Sequence, residues 1–273
     1  PVCVLRLAAH PDSRRPHPRG LVQRRPNLGM NDHLSATDRI RAQLERVAHL
    51  RTQAQRDGLS TAVHQVKQLQ ARRFRATYAD FLADPRHAAA TAFFLDELYG
   101  EHDFAQRDAQ FARIASAIER LFPEAVADLA VDLAETHALT ETLDHQLAEQ
   151  WLALDGDCAY TERYVRSWRA TGDRHARQRQ LAVVQHMGQE LQRLTRMKSL
   201  LIALKLMRGP AQAAGLAALQ QFLERGFAAF ATMGDASRFL QAIAEREQRW
   251  IDALFDDDLQ ACQAALAREL QRA

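Results

Sequence analysis

Apolar residues recur every three or four positions through almost the whole chain after Met30, and this rhythm decides the fold class. Ile40, Leu44 and Val47 fall on one face of a helix with 3.6 residues per turn, as do Val66, Leu69 and Phe74. The same spacing returns in Phe111, Ile114, Ile118 and Leu121, and again in Phe239, Ile243, Trp250 and Leu254. No run of Val, Ile and Thr alternates apolar with polar, the pattern a half-buried strand needs. With only 11 Gly and 8 Pro in 273 residues, few positions interrupt helices. The expected fold is therefore all-α, a globular multi-helix bundle of about ten helices with short links. It divides into two lobes, about 30–155 and 156–273, at the turn sequence Asp155-Gly156-Asp157.

Punctuation sharpens individual elements. Ser35 or Thr37 caps a first helix that ends near Gly58, and Asp84-Pro85 closes a second that starts at Ser60. Phe122-Pro123 ends a fourth helix and opens a fifth that runs to about Leu154. Thr140 can cap a new helix inside that fifth segment after a break at Ala138-Leu139, so one helix or two fit it equally. A long seventh helix is expected from about Arg174 to Leu206, and the last two helices form a hairpin around Asp256-Asp257-Asp258. The apolar run Ser199–Met207 falls short of the ~20 residues of a membrane span and carries Lys205.

Charge is unevenly placed. The first 29 residues hold six Arg, one Asp and five of the eight prolines, a net of +5 that leaves −3 for residues 30–273 out of the chain's +2. Without helical or strand periodicity, residues 1–29 read as a disordered Arg/Pro-rich arm or as an upstream extension. The acidic balance of the remainder argues against nucleic acid as a partner of the folded part. Beyond the arm only Cys158 and Cys262 occur, far apart and outside any CxxC spacing. That usage suits a reducing, cytoplasmic setting.

The usual catalytic signatures are missing. There is no GxxxxGK[ST] phosphate loop, no GxGxxG, no GxSxG, no HExxH, and no His preceded by Glu at i−3. The Asp256–Asp258 run suits a helix start better than a magnesium site. His137 stands out because it falls within the apolar stripe marked by Leu129, Leu133, Leu143 and Leu147. Glu141 and His145 follow at i+4 and i+8, so the three can share a metal; the alternative is a core histidine bonded to a neighbouring carbonyl or carboxylate.

Two resemblances follow from particular residues. Leu133-Ala134-x-x-His137, with a helix break and an amphipathic helix after it, is similar to the proximal-histidine region of globins; this implies His137 as an axial haem ligand. Phe93-Phe94-Leu95-Asp96-Glu97-Leu98-Tyr99-Gly100 resembles the signature of the uncharacterised bacterial FFLEELY-motif proteins, with Asp96 where the motif has Glu. Tyr78–Leu82, Arg107–Phe111, Leu206–Ala211 and Leu219–Glu224 extend that likeness over nearly everything after Met30. It implies a bacterial, cytoplasmic protein and supplies no activity.

The FFLEELY-like octapeptide is bulky and apolar on most faces, which places it in the interior. Its functional alternative is an aromatic-lined ligand or partner groove built from Tyr78, Phe93, Phe94, Tyr99 and Phe111. Asp96 and Glu97 are expected to pair with Arg107 or another Arg at the surface, where such pairs contribute little. With no assembled catalytic constellation, the leading expectation is a non-enzymatic protein. It binds a protein partner, a second copy of itself or a small apolar ligand. The alternative is a globin-like haem- or ligand-binding protein using His137, and an enzyme with residues scattered over several helices stays open.

Overall fold

The computed structural model describes residues 34–98, 104–154 and 158–272. The arm at residues 1–29, Tyr99, Gly100 and the Asp155-Gly156-Asp157 turn lie outside the described residues. Those described form helices and connections with no strand among them, so the fold is all-α. Thirteen helices appear among the described residues where about ten were expected. In order they are α1 Ala36–Arg56, α2 Ser60–Thr77, α3 Ala79–Ala83, α4 Ala88–Leu98, α5 Ala105–Leu121, α6 Glu124–Ala153 and α7 Tyr160–Thr171. There follow α8 Arg174–Thr195, α9 Lys198–Leu206, α10 Arg208–Ala213, α11 Ala217–Met233, α12 Ser237–Asp256 and α13 Leu259–Leu270.

Caps fix several boundaries. The Ser35 hydroxyl accepts from the Asp38 amide at 3.1 Å, and the Asp173 carboxylate from Ala176 at 2.8 Å. Gly172 ends α7 at φ 70°, a left-handed turn that a residue with a Cβ adopts only under strain. Asp258 accepts from the amides of Gln260 and Ala261, so the acidic triplet serves the start of α13.

Two boundaries differ from what periodicity suggests. The fifth segment is one continuous helix, α6, because the Thr140 hydroxyl bonds back to the Thr136 carbonyl at 2.8 Å instead of capping a new start. The expected long helix from Arg174 to Leu206 is broken at Arg196-Met197 into α8 and α9. Its second part lies against α11, where Gln220 Nε2 donates to the Leu204 carbonyl at 2.7 Å. Buried residues are lacking on α9, and Ile202 and Leu206 are 58% and 73% exposed.

Two cores hold the helices, and each takes residues from both sides of residue 156. The larger runs from Ile40 through Phe93, Phe111 and Val184 to Phe230, Phe239 and Ile243. The smaller gathers Val66, Leu69, Leu147, Trp151, Val165, Leu254 and Leu266. A buried ion pair lies between elements far apart in sequence. Arg73 of α2 donates through one nitrogen to both oxygens of Glu247 of α12, at 2.7 and 2.8 Å, and the Tyr78 hydroxyl donates to the same carboxylate.

Asp144 of α6 is 2% exposed and accepts from Gln70 Nε2 at 3.1 Å. Burial pushes its carboxyl above the ordinary range, against the opposing pull of the Lys67 and Arg177 charges. Between the unfolded and folded titration points the native state holds a proton that the unfolded chain has lost, so stability falls as pH rises across that window. Asp144→Asn removes this penalty and keeps an acceptor for Gln70. The expected result is a higher melting temperature than the parent at pH 7.5, with the gain shrinking toward pH 4. An equal difference at both pH values would argue against it.

Candidate ligand-binding cavity

The larger core is incompletely filled. Between α4, α5, α6, α8, α11 and α12 lies a cavity of about 210 Å³. For scale, an engineered apolar void of about 150 Å³ stays dry and takes up benzene or xenon. Phe93 and Phe94 come from α4, Phe111 and Ile118 from α5, and Leu129 and Leu133 from α6. Met187 and Leu191 of α8, Phe222 and Phe227 of α11 and Phe239 of α12 complete much of the wall. Among the described residues no charged or hydrogen-bonding side chain lines it, so the space favours apolar matter over water.

Two mid-helix glycines set the wall. A Cβ at Gly226 would come within 2.6 Å of the Phe93 ring, and one at Gly188 within 2.3 Å of Leu240 Cδ2. Glycine inside a helix costs about 1 kcal/mol against alanine. Here it lets α4 close on α11 and α12 on α8, placing the Phe93 ring and the Leu240 side chain at the cavity wall.

The FFLEELY-like segment supplies both the apolar wall and an acidic end. Phe93, Phe94 and Leu95 are buried, while Asp96 reaches Arg75 at 3.5 Å near the surface. Glu97 is no surface ion-pair residue: its carboxylate accepts from Arg107 at 3.1 Å with both side chains about one-seventh exposed, and from Arg225 at 2.5 Å. The Arg107 guanidinium lies 4.0 Å from the Phe104 ring centroid and 4.9 Å from that of Phe222.

Beside Arg107, Asp108 is 6% exposed and accepts from Arg51 at 2.8 Å and from His137 Nε2 at 3.0 Å. Burial opposes the Asp108 charge. The His137 hydrogen bond and charge, then Arg51 and Arg107, outweigh it and hold the carboxyl below the usual range.

Of the aromatic groove residues, Phe93, Phe94 and Phe111 line the cavity. Tyr78 does not: it is 1% exposed, stacked on Phe81 and bonded to Glu247. Tyr99 lies outside the described residues.

The haem and metal alternatives do not fit. No break follows His137 in α6, its Nε2 is held by Asp108, and the space beside it is only about 30 Å³, room for a water and not a macrocycle. Glu141 pairs with Lys67 at 2.6 Å and His145 lies 3.6 Å from Glu149. Among the described residues no three His, Cys, Asp or Glu side chains, these included, are grouped to hold a metal. The i, i+4, i+8 spacing fails because each step advances the helix by 400°, which turns the third residue 80° from the first.

Fold and site together define an all-helical protein whose larger core carries an apolar cavity. The chain belongs to the family described as a domain of unknown function, DUF8198, whose model matches residues 49–261. No curated protein and no solved structure matches it. Among the described residues no helix is long and apolar enough to cross a membrane.

Proposed function

We propose that this domain binds a small apolar molecule in the cavity between α4, α5, α6, α8, α11 and α12, without catalysing its conversion. The observation that carries this reading is the cavity itself, about 210 Å³ with apolar side chains throughout its wall. An apolar pocket of that size leaves its lining side chains short of packing partners, since core side chains normally interlock at crystal-like density. A ligand returns those contacts. The octapeptide from Phe93 to Gly100 supports placing the chain with the FFLEELY-motif proteins of bacteria, and the free thiols of Cys158 and Cys262 support a cytoplasmic setting. The exposed Ile202 and Leu206 of α9 favour a second reading, in which a partner protein sits on that helix.

The test is a titration of the full chain with N-phenyl-1-naphthylamine, whose fluorescence rises in apolar surroundings. One molecule should bind per chain. Ala130 lines the cavity from α6, and Ala130→Phe fills part of it. That variant should keep its helical circular dichroism and lose at least about tenfold in affinity for the dye, the equivalent of 1.4 kcal/mol. Unchanged dye affinity in a folded Ala130→Phe variant would place the dye elsewhere and contradict the proposal.

A further inference from the structure

A smaller space with polar walls shares part of the cavity's lining. Phe111, Leu133, Val184, Leu219 and Phe222 wall both the cavity and the adjoining space of about 30 Å³. The polar residues of that annex are Glu97, Arg107, Asp108, Thr136, His137 and Thr140. On α6, Leu133, Thr136, His137 and Thr140 stand at i, i+3, i+4 and i+7, so one helix face passes from apolar to polar between cavity and annex.

Most of these groups are spoken for. Arg107 donates to Glu97, while Arg51 and His137 Nε2 share Asp108. The Thr140 hydroxyl donates to the Thr136 carbonyl and accepts from Gln180 Nε2 at 2.6 Å. Two polar atoms are left over. Thr136 is 7% exposed and its hydroxyl has no hydrogen-bond partner among the described residues, a deficit of roughly 1–3 kcal/mol. With Nε2–H given to Asp108, His137 Nδ1 meets no partner among the described residues, and in the neutral imidazole it offers a lone pair.

Among the described residues, each guanidinium at the annex already holds a carboxylate. Arg51 and Arg107 face Asp108 and Glu97, and Arg225, half exposed, takes the outer oxygen of Glu97. A ligand carboxylate would add a negative charge beside Asp108 without finding a free cation, which is costly in a buried place. A head that is neutral and can both accept and donate suits the vacant hydroxyl and imidazole nitrogen.

We infer that the ligand is a neutral amphiphile, with its aliphatic or aromatic body in the cavity and a hydroxyl head at Thr136 and His137. This rests on the reading of the cavity as a ligand site, and it assigns the chemistry of the ligand's polar end.

The experiment uses three competitors against N-phenyl-1-naphthylamine on the full chain at pH 8: octan-1-ol, octanoate and headless n-butylbenzene. Octan-1-ol should displace the dye at a concentration at least about tenfold below that of octanoate, in line with one unmade hydrogen bond plus an unpaired charge. Thr136→Val keeps the side-chain shape and removes the hydroxyl. It should weaken octan-1-ol about fivefold to tenfold while leaving butylbenzene and the dye unchanged.

Octanoate equal to or better than octanol would overturn the head assignment and leave the apolar cavity reading in place. The head assignment also falls if Thr136→Val leaves the octanol-to-butylbenzene ratio unaltered, including a loss shared by all ligands. Failure of the dye and of all three competitors to bind would overturn both.

Discussion

Glu247→Ala is expected to destabilise the protein by about 3–5 kcal/mol, because it strands the Arg73 guanidinium in the interior. Arg73 is 7% exposed, lies 3.8 Å from the Phe74 ring centroid and spends its charge on both Glu247 oxygens. Burial works against that charge, yet Glu247 holds the guanidinium above its ordinary titration point. Removing the carboxylate reverses the balance and also leaves the Tyr78 hydroxyl without its acceptor. Tyr78→Phe alone, which deletes one hydrogen bond, should cost only about 1 kcal/mol. Urea unfolding of the two variants measures both numbers. A Glu247→Ala loss below about 1 kcal/mol would show that water reaches Arg73 and that the pair does not clamp α2 to α12.

The second large effect is at Phe239, which belongs to the core and the cavity at once. It is 1% exposed, with ring centroids of Phe81, His87 and Phe230 at 5.4, 6.2 and 6.4 Å. Phe239→Ala should cost about 3–5 kcal/mol, since Phe239 and its neighbour Phe230 already border the cavity and the wall there cannot close over the missing ring. Because the lesion enlarges the cavity, an apolar ligand should restore part of the loss. Dye at about 100 times its Kd is expected to return about 2.7 kcal/mol if only the folded state binds it. Chemical denaturation with and without N-phenyl-1-naphthylamine reads this; no ligand rescue would separate Phe239 from the binding site.

The helices were largely legible in the sequence because their period is local. Ile40, Leu44 and Val47 announce α1, and all three are buried. The boundaries that differ were those decided by competition. Thr140 looks like a cap until its hydroxyl is seen on the Thr136 carbonyl, and the break at Met197 depends on where α11 lets α9 lie. Phe93, Phe94 and Phe111 could be proposed as a site from their aromatic character, whereas Tyr78 shares that character and belongs to the Arg73–Glu247 pair. The cavity could not be read, since it is a mismatch of volumes among six helices and no single segment carries it. Thr136 and Asp108 escaped notice as site residues for a related reason: hydrogen bonds missing or made across 29 to 57 residues leave no local pattern. The glycines at 188 and 226 were the available signal, as helix interiors seldom tolerate glycine without a close packing partner.

The most direct measurement is a crystal structure of the full chain soaked with 1-bromooctane, whose bromine is located by anomalous scattering. The account predicts one bromooctane enclosed between Phe93, Phe111, Leu133, Leu191 and Phe227. Bromine found only on the outer face of α9, along Ile202 and Leu206, with the cavity unfilled, would contradict it.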